Sequence, residues 1–388
     1  MKNKRWMGTF MALMLSAGVM AGCGAEKSSG SDNTIKIGAN LELSGGVASY
    51  GQSIAEGIDL AIEEINKEGI NGKKLKLVKV DNKSEAAEAT SGAIKLISQD
   101  KVSAIIGAAT STNTLAQVQV AQDNKIPLLT PTGTNPAVTV GENGLNDYVF
   151  RTCFIDPFQG TVAANFASVE LGVKKAAVLI DSSSDYAKGL ADSFKSAFGV
   201  NGGEIISEEA YVAKDTDFRA TLTRIKAANP EFVFLPGYYE EVGLIIKQAR
   251  EIGLNVPFMG GDGWDSPTLV DIAGADALNN TFITNHYSSG DSDPMVQDFV
   301  KAFKAKYSDK SPDAFNALGY DSVYFIADAI KRAKSTDPED IRVALEDTDG
   351  LTLVSGFLTL DENHDPEKSA VILEYKDGKQ EFRAKVNP

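Results

Sequence analysis

The amino-acid sequence predicts an α/β fold with mostly parallel sheets, built as two similarly ordered halves. Strand-like and helix-like patterns alternate through most of the 388 residues. Such alternation is typical of parallel sheets that carry helices on both faces. The alternation starts again after residues 148–151, and a chain of this length usually makes more than one domain. We therefore predict two α/β lobes.

In the first half, apolar spacing predicts strands and helices in turn. Residues 34–43 alternate apolar and polar side chains as a strand does, and residues 52–67 carry apolar side chains at helical spacing. Glycine- and serine-rich segments separate these elements. The elements that follow are predicted as a strand at 74–81, a helix at 86–99, a strand at 104–107, a helix from Asn113, and a strand at 126–130.

The second half repeats the pattern and then departs from it. Helices are predicted at 158–171, 186–198, 218–228, 240–252 and 266–273, and strands at 175–180, 205–211, 232–235, 257–260 and 280–285. Two long helices, at 294–307 and 314–332, have no strand beside them in sequence, so we expect them to return to the first lobe. A helix at 338–347, strands at 351–359 and 370–375, and a hairpin-type turn at 376–379 complete the chain.

This return of the chain predicts a hinge of several strands. We expect three crossings between the lobes, near residues 152–156, 284–287 and 355–358. The first lobe would then comprise residues 34–154 and 286–355, and the second lobe residues 155–285 and 356–388.

Two loops in the first half are rich in hydroxyl side chains. Residues 110–112 and 132–134 follow neighbouring predicted strands, and such loops meet at the carboxyl edge of a parallel sheet, where small ligands bind. Ser111 or Thr112 is predicted to cap the helix that follows, whose first amides would be free to hold an anion. Either loop alone is equally compatible with ordinary caps and turns, so the interpretation as a carboxylate site depends on the rest of the chain.

The amino end has the pattern of an export signal. Lys2, Lys4 and Arg5 precede an apolar run at 6–20, which ends in the small residues Ala21 and Gly22. Residues 20–23 resemble a bacterial lipobox, in which Cys23 becomes the lipid-modified first residue of the mature protein. A plain signal peptide with an incidental cysteine is the alternative. We predict a signal peptide at 1–22, a flexible tether at 23–33, and an extracytoplasmic protein that a lipid anchors to the bacterial membrane.

Charge and cysteine content limit the partners. Loss of residues 1–22 removes three of the 38 basic residues and none of the 53 acidic ones, which leaves 35 against 53 and a net charge of −18. Such an acidic chain is a poor ligand for nucleic acid or anionic lipid headgroups. With Cys23 lipidated, Cys153 has no partner for a disulfide, so we predict a buried, unreactive side chain.

No enzyme motif emerges from the sequence. The two histidines, His286 and His364, are not spaced for a catalytic triad, and no phosphate-binding loop, zinc motif or calcium loop is present. The simplest interpretation of His364 is a solvated turn. We therefore predict no cofactor and no enzymatic activity. An α/β enzyme and a ligand-sensing module for a membrane partner remain alternatives.

Eight segments in order, together with the intervening pattern from residue 34 onward, carry a resemblance to a known family. They are residues 37–51, 105–114, 130–136, 150–160, 181–190, 237–243, 258–263 and 315–320. These segments resemble the type I periplasmic binding proteins, and most strongly the branched-chain amino-acid (Leu/Ile/Val-type) proteins that serve ABC importers. The resemblance implies two Rossmann-like lobes with parallel sheets, joined by a three-stranded hinge.

The resemblance also implies a role for individual residues. Ser111 and Thr134 match the residues that bind the ligand's α-carboxylate, and Thr132 matches the residue whose carbonyl accepts from the α-ammonium. The remaining matches form or approach the walls of the cleft, and they are Tyr50 and Phe315 in the first lobe, Tyr186 and Tyr238 in the second, and Asp156 just after the first crossing.

Asp262 departs from the family pattern, because the family often has a glutamate at this position to pair with the α-ammonium. The aspartate is one methylene shorter, so a water, a further closure of the lobes or a deeper ligand would have to make up the difference. The resemblance implies a free amino acid as ligand, the permease and ATPase subunits of an ABC importer as partners, and a monomeric protein.

Overall fold

The computed structural model describes residues 33–387. The predicted signal peptide, Cys23 and nearly all of the predicted tether therefore lie outside the described residues. Within residues 33–387, no helix combines the length and the apolar character that crossing a membrane requires.

The first half of the chain forms a five-stranded, fully parallel sheet in the order β2-β1-β3-β4-β7. Its elements are β1 (Thr34–Leu41), α1 (Ala48–Glu68), β2 (Lys74–Asp81), α2 (Ala86–Lys95), β3 (Ala104–Ile106), α3 (Ser111–Asn124), β4 (Leu128–Thr130), the small hairpin of β5 (Val140–Gly141) and β6 (Gly144–Leu145), and β7 (Val149–Arg151). The strand order reverses between β1 and β3, so the loops after these two strands diverge and leave a crevice at the carboxyl edge.

The second half forms a sheet with the same kind of order. Its elements are α4 (Asp156–Asn165), β8 (Lys175–Asp181), α5 (Asp185–Val200), β9 (Glu204–Tyr211), α6 (Arg219–Ala228), β10 (Phe232–Phe234), α7 (Tyr239–Glu251), β11 (Phe258–Gly260), α8 (Pro267–Ala273), α9 (Ala275–Leu278) and β12 (Thr281–Asn285). Strands β9-β8-β10-β11-β12 are parallel, and the order reverses between β8 and β10. A second crevice follows at this reversal.

The last part of the chain visits both sheets. It comprises α10 (Pro294–Lys306), α11 (Ala314–Ala333), α12 (Pro338–Glu346), the hairpin of β13 (Leu351–Leu353) and β14 (Gly356–Leu358), β15 (Ala370–Lys376) and β16 (Lys379–Val386). Helix α11 packs along α1 so closely that a Cβ at Gly57 would lie 2.0 Å from the Asn316 carbonyl oxygen. This packing places α11 beside a helix of the first half, while the assignment of residues 286–355 to the first lobe stays a prediction. Strands β15 and β16 then extend the second sheet antiparallel to β12.

Contacts near residue 365 bear on the third predicted crossing, which we expect at residues 355–358. The Asp365 carboxylate still contacts first-sheet residues, with Oδ1 2.7 Å from Arg151 Nε and 2.8 Å from Thr139 Oγ1. Strand β15 of the second sheet begins only at Ala370. The lobe boundaries stay a prediction, and these contacts favour a third crossing at residues 366–369.

Two local predictions were wrong. Residues 351–359 are not one strand, because the Asp321 carboxylate accepts from the Val354 and Ser355 amides, both at 2.9 Å, and turns the chain into a hairpin. His364 is not solvated. Its buried imidazole stacks on Phe150 with ring centroids 4.4 Å apart, and its Nδ1 lies 3.0 Å from the Val149 carbonyl oxygen.

Cys153 agrees with its prediction. The side chain is fully buried, and burial raises the pKa of its thiol to about 12. A thiol that stays protonated in the physiological range is a poor nucleophile. Cys153 is therefore a small apolar core residue.

Candidate functional site

The crevices of the two sheets face each other around one small cavity. The residues that line the cavity come from the loops and first helical turns that follow β1, β3, β4, β8, β10 and β11 and from the start of α11: Tyr50, Ala109, Thr110, Ser111, Thr132, Tyr186, Tyr238, Asp262, Gly263 and Phe315.

Hydrogen-bond donors gather at the first-sheet side of the cavity. Helix α3 begins at Ser111, and the Thr110 hydroxyl caps it by accepting from the Asn113 amide at 3.4 Å. The cap therefore lies one residue before the predicted Ser111 or Thr112. Neither the Ser111 amide nor the Thr134 amide has an acceptor among residues 33–387, and the buried Thr134 hydroxyl also lacks a partner there. The Ser111 hydroxyl accepts from the Asn135 amide at 3.2 Å, which leaves its own hydrogen available.

Glu42 organises the loop that leads into α3. Its buried carboxylate accepts from the amides of Ala109 (2.9 Å) and Thr110 (3.1 Å) and from the Asn113 side chain (2.9 Å). Charge-assisted hydrogen bonds of this kind are among the strongest in proteins. An internal carboxylate therefore occupies the amides just before the helix, and the amide of Ser111 itself stays free.

Arg151 organises the neighbouring loop, which carries Thr134. The buried guanidinium donates to the carbonyls of Gly133 (2.7 Å) and Asn135 (3.0 Å) on either side of Thr134. Its Nε pairs with Asp365 at 2.7 Å, which balances the buried charge. Arg151 thus fixes the position of the Thr134 amide and hydroxyl.

Asp262 lies in a tight turn at the carboxyl end of β11. The Gln159 side chain accepts from the Asp262 amide at 2.8 Å, and the Tyr186 hydroxyl accepts from the Gly263 amide at 3.2 Å. A Cβ at Gly261 would lie 2.4 Å from Gln159 Oε1, so only glycine allows this approach. The turn brings the buried Asp262 side chain to the cavity wall.

The Asp262 carboxylate is paired on one side only. Its Oδ2 lies 3.1 Å from Nε2 of His286, which is also buried. Its Oδ1 has no hydrogen-bond partner among the described residues, although the Tyr186 hydroxyl lies beside the carboxylate. A buried oxygen without a donor is costly, so this atom marks a place where a ligand donor would be favourable.

Asp156 lies at the start of α4, behind the cavity wall. Its amide donates to the Thr134 carbonyl at 3.0 Å, and its carboxyl is fully buried. Burial, together with the Asp262 carboxylate, raises the pKa of Asp156 to about 8, and Thr134, Arg151 and Gln159 act in the opposite direction. Neither carboxyl oxygen makes a hydrogen bond of good geometry within residues 33–387. Asp156 is therefore mainly a neutral acid at neutral pH.

Aromatic rings form the remaining walls. Tyr50 stacks on Phe315 with ring centroids 4.3 Å apart, and Tyr186 stacks on Tyr238 at 5.4 Å. The Tyr50 hydroxyl also donates to the Gly263 carbonyl on the opposite side of the cavity. Burial raises the pKa of Tyr50, Tyr186 and Tyr238 well above the usual value, so these phenols stay neutral. The walls are apolar surfaces with few, fixed polar atoms.

The structure brings most of the predicted site residues together. Seven line the cavity, namely Tyr50, Ser111, Thr132, Tyr186, Tyr238, Asp262 and Phe315, whereas Thr134 and Asp156 lie just behind its wall. Sequence reasoning missed the supporting residues Glu42, Arg151, Gln159 and His286. The signal for Arg151 was a charged residue inside the otherwise apolar run at 148–154, and the other three have no comparable signal. Among residues 33–387, no group of His, Cys, Asp and Glu side chains could hold a metal ion.

Two α/β units with a cavity between their facing sheet edges define a ligand-binding protein of the two-lobed type. The family model described as "periplasmic binding protein" matches residues 34–380, so the chain belongs to the periplasmic binding protein family. The predicted resemblance and the predicted fold class are thereby confirmed.

Individual relatives are similar over nearly the whole chain. A leucine-, isoleucine-, valine-, threonine- and alanine-binding protein from Pseudomonas aeruginosa is 33% identical over 334 residues, which are 86% of this chain and 87% of that protein. A leucine-binding protein from Thermotoga maritima aligns with a TM-score of 0.86 and 39% identity, covering 91% of this chain and 99% of its own. A branched-chain amino-acid transporter substrate-binding protein from Streptococcus pneumoniae was solved with isoleucine. It also aligns with a TM-score of 0.86 and 39% identity, and the alignment covers 92% of this chain and 100% of that protein's chain.

The raised pKa of Asp156 predicts a pH-dependent stability. Its folded-state pKa of about 8 lies above the unfolded value of about 4, so the folded state holds the proton more tightly and loses stability as the pH rises between these values. In ligand-free Asp156→Asn, which cannot ionise, this loss is absent. In urea unfolding between pH 5 and 8, we expect the free energy of unfolding of the variant to rise relative to that of the wild type by at most about 1.4 kcal/mol per pH unit. Asp298→Asn, at an exposed position, is the control. Parallel pH profiles for wild type and Asp156→Asn would contradict the prediction.

Proposed function

We propose that this protein is an extracytoplasmic, lipid-anchored solute-binding protein that captures a free amino acid and delivers it to an ABC importer. The observation that carries the proposal is the polarity of the cavity, which has unpaired donors on one side, an unpaired carboxylate oxygen on the other, and aromatic walls. This pattern is complementary to a zwitterion with an apolar side chain.

The α-carboxylate would lie at the amino end of α3. The amides and hydroxyls of Ser111 and Thr134 offer donors from two adjacent loops, and the helix terminus adds a favourable partial positive charge. Glu42 and Arg151 hold these loops before any ligand arrives. Such pre-organisation supports tight binding because little conformational freedom is left to lose.

The α-ammonium would lie between Asp262 and the Thr132 carbonyl. The Thr132 hydroxyl donates to the Ala109 carbonyl at 2.7 Å, while no donor among residues 33–387 reaches the Thr132 carbonyl itself. The shorter aspartate still reaches the cavity, because the glycine turn at 260–263 packs directly on Gln159 and Tyr186. This close packing favours the smaller acid without an intervening water.

The ligand side chain would lie among Tyr50, Phe315, Tyr186 and Tyr238. Their rings offer area for an aliphatic group and no charge to pair with a second ionised group. The names of the relatives support the same class, since the Pseudomonas protein binds leucine, isoleucine, valine, threonine and alanine, and the Streptococcus protein was solved with isoleucine. We propose a branched-chain or similar aliphatic amino acid.

Binding and delivery without chemical change is the proposed role, so incubation with the protein should return the ligand unaltered. The lipid anchor is proposed from residues 20–23 of the sequence alone. We expect a labelled fatty acid to be incorporated into the wild type and not into Cys23→Ser.

A sensing role for a membrane partner would use the same site. Growth of a gene-deletion strain on the ligand as sole nutrient source distinguishes sensing from transport, because only transport is required for growth. We further propose a monomer in solution.

The carboxylate site predicts a selective loss in two variants. After a thermal-shift screen with Leu, Ile, Val, Ala, Thr and Phe has identified the ligand, Ser111→Ala and Thr134→Ala should each weaken its binding by about 1–3 kcal/mol, the usual cost of a lost hydrogen bond to a charged group. Calorimetric titration measures the change. Ser91→Ala, an exposed hydroxyl on α2, is the matched control and should bind as the wild type does. Unchanged affinity in both site variants would place the carboxylate elsewhere.

The ammonium site predicts a dependence on ligand charge. Asp262→Asn keeps the size of the side chain and removes its charge, so the amino acid should lose about 2–5 kcal/mol, mainly through faster dissociation. A desamino analogue, such as 4-methylpentanoate for leucine, has no ammonium group. It should bind the wild type poorly, and its affinity for Asp262→Asn should be only slightly lower than its affinity for the wild type. If both ligands weaken equally, Asp262 has only a structural role in its turn.

A further inference from the structure

The two histidines of the chain are both buried, and only one of them lies beside the cavity. His286 directly follows β12, and its imidazole stacks on Phe154 with ring centroids 3.6 Å apart. The side chain is 1% exposed. A polar ring buried so completely needs a reason, and its one hydrogen bond supplies it.

That hydrogen bond has a defined direction. A carboxylate only accepts hydrogen bonds, so the contact of 3.1 Å requires the proton to be on Nε2 of His286, with Asp262 Oδ2 as acceptor. The other ring nitrogen, Nδ1, is buried and has no partner among the described residues. A lone pair at Nδ1 is less costly there than an N–H, which favours the neutral ring with its proton on Nε2.

The surroundings of the ring support the neutral form. Burial lowers the pKa of His286, and the Asp262 carboxylate opposes this effect without reversing it. Asp265 lies near enough to raise the pKa, and Lys368 near enough to lower it. Asp156 faces the same carboxylate from α4, and it is itself held largely neutral.

We infer that His286 is a positioning residue for Asp262. The Nε2–H of His286 donates to Oδ2 of Asp262 and leaves Oδ1 as the acceptor that faces the ligand's ammonium group. This inference rests on the proposed function and deepens it, because it assigns the specificity for an amino group to a pair of residues. Without the histidine, the carboxylate can rotate about its terminal bond, and both oxygens compete for too few donors.

The pair also connects recognition of the ligand to two chain crossings. His286 begins the segment between β12 and α10, and Phe154, on which it stacks, lies between β7 and α4. The orientation of the ammonium acceptor is thus set by side chains from both crossing segments. A ligand that pairs with Asp262 is therefore linked, through the hydrogen bond between Asp262 and His286, to the part of the chain that joins the two sheets.

Substitutions at His286 test the inference through ligand class. His286→Leu should weaken binding of the amino acid by about 10- to 100-fold, the usual effect of losing a hydrogen bond to a charged group, and leave binding of the desamino analogue nearly unchanged. His286→Gln, which places an amide N–H near the position of Nε2, should restore most of the loss. Equal losses for both ligands in His286→Leu, or full affinity for the amino acid in that variant, would overturn the inference.

His364 provides a matched control. It is also buried and stacks on a phenylalanine, but its Nδ1 lies 3.0 Å from a carbonyl oxygen, so its proton must be on Nδ1. His364→Gln should not change the preference for the amino acid over its desamino analogue. A selective loss of the amino acid in this variant as well would show that the effect is not specific to His286.

Imidazole ¹⁵N spectra test the geometry without relying on affinity. The chain has two histidines, so the ring that remains in the spectrum of His364→Gln belongs to His286, and at pH 7 it should be neutral with its proton on Nε2. An Nδ1–H tautomer or a charged ring at His286 would overturn the inference even if a variant fails to fold. If the wild type binds no amino acid, the proposed function fails. If the wild type binds an amino acid and His286→Leu binds it with the same affinity, only the role of the histidine is contradicted.

Discussion

Polar groups at the facing edges of the two sheets have to be paired once water is excluded from between them. Here the fold itself pairs most of them, since Glu42 satisfies the amides before α3, and Arg151 satisfies the carbonyls around Thr134. The groups left without a partner among residues 33–387 include two loop amides, the Thr134 hydroxyl and one oxygen of Asp262 at the cavity, and both carboxyl oxygens of Asp156 nearby. Burying such groups without partners is costly. The unpaired groups at the cavity therefore indicate which donors and acceptors a ligand would have to offer.

The supporting side chains bear on the selectivity that we propose for the site. A zwitterion offers two charges at a fixed separation, and a site recognises it only if donors and acceptor are held at that separation in advance. The donors are held within the first sheet by a buried carboxylate and a buried guanidinium. The acceptor is held within the second sheet by a glutamine, a glycine turn and a histidine. Apolar contacts with the aromatic walls then add affinity with less demand on geometry.

Sequence patterns predicted the architecture well and the site in part. Alternating strands and helices identified both sheets, because the period of apolar residues depends on local structure alone. The helix α3 was placed two residues late because its first turn, residues 111–114, consists of polar side chains and shows no apolar stripe. His364 was misjudged because a turn sequence says nothing of the long-range packing on Phe150. Glu42, Gln159 and His286 could not be found for the same reason, since each acts on a residue that is far away in the chain and near only after folding.

We propose that one end of the cavity recognises a carboxylate and the other an ammonium group. A crystal structure of the chain grown with leucine would show the orientation of the ligand. We expect the leucine carboxylate at the amides and hydroxyls of Ser111 and Thr134, its ammonium group at Asp262 Oδ1 and the Thr132 carbonyl, and its side chain between Tyr50 and Phe315. A leucine bound in the opposite orientation, or bound with its ammonium group away from Asp262, would contradict it.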